Sequence, residues 1–253
     1  MKAVILAAGM GVRLHPLTYK IPKGLLEIDG NTLLEYSLNN LSLFGINSVI
    51  IVTGYLEEMI REKIGTSFNG MNIDYVTNEI YSKSGSMYSF SRVKDIIDED
   101  VLLLESDLLY DPRAIKMVQD SEFKDLILVA DLSGSGDEVF VCADENRKII
   151  ALGKNISAEI KNQPIGELVG ISKFSMGFLD KLFEKAEEDY KAGQLNFHYE
   201  ECVFATGELY PVYVQRCDNL AWIEIDKEND LIRAKEEVYP EIKKIGHSSK
   251  TDS

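Results

Sequence analysis

Short β-branched runs alternate with amphipathic segments through the first half of the chain, glycines crowd the end of the first run, and a carboxylate closes each of two later ones. Strands and helices interleaved in this way specify a mostly parallel sheet covered on both faces. The sequence therefore predicts an α/β protein: a Rossmann-like three-layer αβα sandwich on a mostly parallel mixed sheet, with a small hairpin-and-helix insertion.

The predicted strands are 2–6, 48–53, 73–76, 101–105 and 126–130, with helices at 32–44, 55–64, 86–97 and 111–118. The first run, Met1 to Leu6, has one charge and leads straight into glycines, with neither a cleavage site nor the length to span a bilayer, so it is a buried strand. In 32–44, Leu33, Leu34, Leu38, Leu41 and Phe44 recur at helical spacing, and Gly45 supplies a stop. After residue 130 comes a flexible Ser/Gly connection, Asp131 to Asp137; Glu138 to Ala143 and Lys148 to Leu152 then flank a turn at Asp144-Glu145-Asn146, which predicts a hairpin. Residues 176–192 form an amphipathic helix, 209–215 and 220–225 are strands returning to the sheet, and a helix at 228–238 closes the domain. One domain, 1–240, with 131–205 as its inserted portion, is followed by a polar tail or linker, 241–253, whose end lacks apolar residues to dock it.

A chain of 253 residues, 45% hydrophobic, can bury one substantial core. The net charge of −15 repels polyphosphate backbones and anionic lipid, which argues against nucleic acid and membranes as partners; a phosphorylated small substrate must find a local positive site. No stretch reaches the roughly 18 to 20 apolar residues of a membrane span. Cys142, Cys202 and Cys217 are too few and scattered for a disulfide framework or zinc cluster, which fits buried thiols in a reducing cytoplasm.

Leu6-Ala7-Ala8-Gly9-Met10-Gly11-Val12-Arg13 puts small residues directly after a strand, where backbone N–H groups can approach a triphosphate, and Arg13 adds a cation. The third glycine of a dinucleotide fingerprint and the Gly-Lys-Ser/Thr of a Walker loop are both missing. The glycine pair alone is equally a tight turn without a ligand. Further on, strand 101–105 leads to Asp107 at what would be the carboxyl edge of the sheet, and Trp222 to Asp226 presents Glu224 and Asp226 on one face of a strand. These acids suit a hard cation such as Mg²⁺, which takes one or two carboxylates with phosphate oxygens and water. Each also precedes a helical segment, so capping is the alternative.

The continuation decides between these readings. Residues 6–23, through Leu14-His15-Pro16-Leu17-Thr18 to Pro22-Lys23, resemble the nucleotidyltransferase family typified by sugar-1-phosphate nucleotidylyltransferases, whose signature is L-A-A-G-x-G-x-R-L-x-P-L-T followed by P-K. The resemblance implies that Leu6, Ala7, Ala8, Gly9 and Gly11 bind the nucleotide, that Arg13 and Lys23 neutralise its phosphates, and that Asp107, Glu224 and Asp226 hold Mg²⁺. Ser106 stands where that family commonly has glycine, and Glu105 is left as structural.

Asn78 to Ser89, Gly166 to Ser172, His198 to Glu201 and Trp222 to Asp226 are similar to a narrower branch, the bacterial phosphocholine and aminoalkyl-phosphonate cytidylyltransferases. That likeness implies CTP as donor, read by Ser84, Gly85 and Ser86, although the branch usually has T-N-N at those three positions. It also implies Lys154 on the acceptor phosphate. Within the same segments Glu167, Tyr199 and Glu200 are the candidate acceptor site, where an aromatic face beside a carboxylate suits an ammonium group; the alternative is that Tyr199 lines a hydrophobic face. The expected reaction is Mg²⁺-dependent transfer of CMP to phosphocholine or 2-aminoethylphosphonate. The alternatives are a sugar-1-phosphate nucleotidylyltransferase using UTP or dTTP and a non-catalytic nucleotide-binding regulatory subunit. A homo-oligomer and a fused second domain are both compatible with the pattern.

Overall fold

The computed structural model describes residues 1–157 and 164–248. Its main strands, in chain order, are β1 (Lys2–Ala7), β2 (Ser48–Thr53), β3 (Met71–Thr77), β4 (Val101–Glu105), β5 (Leu108–Tyr110), β6 (Leu126–Ala130), β7 (Phe140–Ala143), β8 (Ile149–Gly153), β9 (Gly166–Phe174), β10 (Tyr213–Arg216) and β11 (Trp222–Glu224). The principal helices are α1 (Leu33–Leu43), α2 (Glu57–Ile64), α3 (Ser86–Ser91), α4 (Arg113–Asp120), α5 (Met176–Lys191), α6 (Tyr199–Gly207), α7 (Glu228–Arg233) and α8 (Tyr239–Ser248).

β1 lies in the middle of the sheet, parallel to β2 on one side and β4 on the other, and β3 extends the parallel run beyond β2. Successive β1 side chains point to opposite faces, so Ala3, Ile5 and Ala7 enter one core cluster while Val4 and Leu6 enter the other. Helices pack on both clusters, giving the expected three layers. The chain leaves β1 toward β2, while β4 returns on the far side of β1. This reversal opens a crevice at the carboxyl ends of β1 and β4, where ligands of open α/β sheets bind.

Helix α1 starts at a reciprocal cap. Thr32 Oγ1 accepts from the Glu35 N–H at 3.2 Å, and the Glu35 carboxylate accepts from the Thr32 N–H at 2.8 Å. Two backbone donors that a helix start leaves unpaired are thereby satisfied.

The predicted hairpin forms as β7 and β8, antiparallel at one end of the sheet. Several elements differ from expectation. β9, buried at every position, runs antiparallel to β4, β6 and β7 and carries the sheet across to the hairpin. Burial on both faces removes the alternation that would have marked it as a strand. Of the two late strands, only β10 joins the main sheet, parallel to β6. β11 instead pairs antiparallel with β5 in a separate ribbon, packed over a third apolar cluster that includes Leu14, Ile28, Leu33 and Val238. The helix predicted at 86–97 is regular only over Ser86–Ser91, and α6 is an element the sequence reading did not place. The closing helix passes through a wider turn at Ala234–Val238 and continues to Ser248 rather than stopping at residue 238. The rest of the predicted tail, 249–253, lies outside the described residues. Among the described residues, no helix is long and apolar enough to cross a membrane.

Candidate active site

The turn after β1 opens into a cleft of about 850 Å³ at the carboxyl edge of the sheet. Gly11 is left-handed, with φ 58°, a conformation that favours glycine. Its carbonyl accepts from Thr18 Oγ1 at 2.7 Å, and the Ala8 carbonyl accepts from the Tyr55 N–H at 3.1 Å, so the turn is fixed from both sides. Nothing lies within 4 Å of where a Gly9 side chain would project. Of the residues expected to bind the nucleotide here, Leu6, Ala8, Gly9 and Gly11 line the cleft, whereas the Ala7 side chain is in the core because strand alternation turns it away.

β4 delivers Glu105 and, just beyond its end, Asp107; β11 delivers Glu224 and, two residues on, Asp226. The ammonium of Lys23 joins the two sets, donating to Asp107 Oδ2 at 2.5 Å and to Asp226 Oδ1 at 2.6 Å. Arg13 also reaches Asp226, at 2.7 Å, and pairs with Asp137 on the opposite wall. Burial acts to lower the Lys23 pKa, but the charges of Asp107, Asp226 and Glu224 outweigh it and raise the value well above normal. Asp226 responds in the opposite sense: burial would raise it, yet Lys23 and Arg13 hold it below the usual carboxylate value.

Glu105, Asp107 and Glu224 each offer an oxygen within 4.8 Å of the others. Burial and then the neighbouring acids push Glu105 up to about 8 and Glu224 up to about 9. Three carboxylates this close carry full charge together only if a cation shares them. Asp107 Oδ1 is buried and has no hydrogen-bond partner among the described residues. An all-oxygen donor set with an unpaired carboxylate oxygen fits Mg²⁺. The set differs from the predicted Asp107, Glu224 and Asp226: Asp226 stands beside it, occupied by Lys23 and Arg13, and Glu105, expected to be structural, takes a place in it. The two-residue spacing of Glu105 and Asp107 was the available signal.

On the predicted base-reading side, Ser84, Gly85 and Ser86 line the cleft, but each also has a structural task. Ser84 Oγ accepts from buried Asn78 at 3.0 Å and donates to the Ile80 carbonyl at 3.0 Å. A side chain on Gly85 would come within 2.0 Å of the Phe197 carbonyl oxygen, so the close approach glycine permits here is to protein backbone. Ser86 Oγ accepts from the Tyr199 N–H at 3.0 Å and tethers the start of α6. Tyr81 also lines this wall, a contributor the sequence did not single out.

The predicted acceptor residues divide. Glu200 and Glu167 line the cleft, and burial raises both carboxyl pKa values. Glu167 is tied to the connection after β6, accepting from Ser133 N–H at 3.0 Å and Ser133 Oγ at 3.1 Å. Tyr199 corrects the expectation of an exposed aromatic face: its ring is 1% exposed in the core, and its hydroxyl donates to Glu105 Oε1 at 2.8 Å. The cause is its position as the first residue of α6, which turns it under the sheet while His198 and Glu200 face the cleft. Lys154 lines the cleft and pairs with Asp137 at 2.8 Å. Asp137 thus bridges two predicted phosphate-binding cations, a role with no sequence signal inside a Ser/Gly connection. Trp222 packs against the core with one side and lines the cleft with the other.

Residues 2–132, covering β1 through β6 and thus the loop, Lys23 and Asp107, match the nucleotidyl transferase family. The chain belongs to that family. This nucleotidyltransferase is 35% identical over 116 residues to the CMP-5′-(3-aminopropyl)phosphonate synthase of Streptomyces rubellomurinus, a match spanning 46% of the chain but 18% of that longer protein. It is 26% identical over 240 residues to the choline-phosphate cytidylyltransferase of Streptococcus pneumoniae, covering 93% of the chain and 97% of the relative. In fold, the nucleotidyltransferase matches the solved inositol-1-phosphate CTP transferase from T. maritima with a TM-score of 0.80 at 24% identity, over 96% of this chain and 95% of the other. The Rossmann-like layered architecture is that of its structural neighbours.

Proposed function

We propose that this nucleotidyltransferase moves CMP from CTP to a small phosphate- or phosphonate-bearing amino alcohol, phosphocholine or 2-aminoethylphosphonate, with release of pyrophosphate and with Mg²⁺ as cofactor. The observation that carries the reaction class is the meeting of Asp107 and Asp226 on Lys23 at the mouth of the β1 turn. Preference for CTP and for this acceptor class is supported by the names of the two relatives described above.

In this reading the N–H groups of the Ala8 to Gly11 turn meet the triphosphate, and Arg13 and Lys23 balance its charge. Lys154 orients the acceptor anion. An acceptor oxygen attacks the α-phosphorus in line; the new P–O bond forms as the bond to the β-phosphate oxygen breaks, and pyrophosphate leaves with the electron pair. The attacking oxygen is already anionic near neutral pH, so the residues need only position and neutralise, and no general base is assigned. Asp107 and Glu224, with Glu105 or Asp226 beside them, would hold Mg²⁺, which when bound supplies Lewis-acid stabilisation of the phosphates.

Pyrophosphate release measured for CTP, UTP and dTTP, each with phosphocholine, 2-aminoethylphosphonate and glucose 1-phosphate, tests the proposal. Turnover confined to glucose 1-phosphate with UTP or dTTP would replace it with the sugar reading. Nucleotide binding without turnover across the panel would make the chain a binding subunit.

A further inference from the structure

Glu105 is held by two features that have no part in the phosphate turn. One is the Tyr199 hydroxyl, 2.8 Å from Oε1. The other is Gly170, at φ 83°, in the break of register between β9 and β6. A side chain there would come within 3.1 Å of Glu105 Cδ and 3.3 Å of Cγ. The bulge in the central strand therefore leaves the space that Glu105 fills, and the phenol fixes where its carboxylate ends.

Such holding is needed. Asp107, Glu224 and Glu200 surround Glu105 with like charge, which in a buried setting drives a free carboxylate away from its neighbours. A phenol donates one hydrogen bond to the carboxylate without adding a counter-charge, so it fixes the group in place and leaves its charge for a cation to balance. Tyr199 is suited to the task because it cannot move far: its ring is enclosed, and α6 begins at a doubly tied point. Ser86 holds the Tyr199 N–H, and Glu201 accepts from the His198 N–H at 2.8 Å.

We infer that Tyr199 is a positioning residue of the cation site, holding Glu105 as a working third carboxylate beside Asp107 and Glu224, in space provided by Gly170. The inference rests on the proposed function only in requiring a divalent cation at this cluster.

The test uses Mn²⁺ alone, titrated into the full chain and followed by calorimetry and by the fluorescence of Trp222, the chain's single tryptophan, which lines the cleft. Tyr199→Phe is expected to weaken Mn²⁺ binding about tenfold, the loss typical when the partner of a metal ligand is removed. Glu105→Gln is expected to weaken it at least as much, and the double variant no more than Glu105→Gln alone, because both changes act through one carboxylate. A purely structural tyrosine would give additive losses. Wild-type affinity in Tyr199→Phe or in Glu105→Gln, additive losses, or absence of Mn²⁺ binding by the wild-type protein would each overturn the inference. If the wild type binds Mn²⁺ as expected but transfers no nucleotide to any acceptor, the proposed function fails while this inference stands.

Discussion

Asp107 and Asp226 share one cation. Asp107 lies in the turn between β4 and β5 and Asp226 just past the end of β11, 119 residues further along the chain, yet the Lys23 ammonium is 2.5 Å from one and 2.6 Å from the other. Lys23 keeps a buried and a part-buried acid together at the place where, under the proposed function, a triphosphate and its metal would enter.

Asp107→Ala is expected to leave the fold intact and to lower turnover by about 10²–10³-fold, the range seen when a group stabilising transition-state charge is removed. Circular dichroism with pyrophosphate release at saturating Mg²⁺ checks both halves. Near-wild-type release would refute the cation role of these acids.

Lys23→Met tests the pairing itself. With both acids mostly buried, removing the shared ammonium leaves Asp107 without its counter-charge and Asp226 with Arg13 alone, at a cost of about 3 kcal/mol. Urea unfolding should show this loss, and added Mg²⁺ should restore more stability to the variant than to the parent. Equal stabilisation of the two proteins would mean that the cation does not meet these acids.

Asp137 occupies Arg13 and Lys154 together, two of the cations that the proposed function sets against phosphate. Asp137→Ala should therefore lower KM for the nucleoside triphosphate several-fold and strengthen inhibition by pyrophosphate. Initial-rate kinetics decide the point: a raised KM would assign Asp137 to substrate binding.

Glu57 ties three elements together, accepting from Thr53 at 2.8 Å, Thr77 at 2.7 Å and Arg61 at 3.0 Å. Burial alone would raise its pKa, but these partners hold it below the ordinary 4.5. An acid whose folded value is depressed stabilises the fold above its unfolded value and loses that contribution as pH falls through the folded one. Stability should decline as pH drops below about 4.5, and Glu57→Gln should flatten that decline. An identical acid limb in the variant would exclude this network.

Gly85→Ala should destabilise the protein by about 3 kcal/mol or more, as overpacking does when the obstacle is backbone. The backbone at Gly85 is extended, with φ −87°, so the cost would come from collision with the Phe197 backbone rather than from a strained φ. Denaturant unfolding measures it, and a neutral substitution would show that the 195–197 segment yields freely.

What the sequence disclosed and what it withheld follow from range. The β1 turn, Arg13 and Lys23 sit in one short stretch whose small residues and fixed cations are readable in order. Asp107 is readable as the polar end of an apolar strand. Glu105 is not, because its direction depends on a bulge at Gly170 and a hydroxyl from Tyr199, both distant in the chain. Tyr199 looks like a ligand-facing aromatic until α6 is known to begin there and turn its ring inward. β9 escaped because a strand covered on both faces has no polar side to mark its period.

The ribbon that carries Glu224 and Asp226 is among the last parts of the domain to leave the ribosome, while the phosphate turn is among the first. A nascent or prematurely terminated polypeptide lacking residues 222–226 would have the triphosphate cradle without the far half of the acid site. Under the proposed chemistry such fragments would be inert toward nucleotides, and activity would arise only once both termini of the domain had come together.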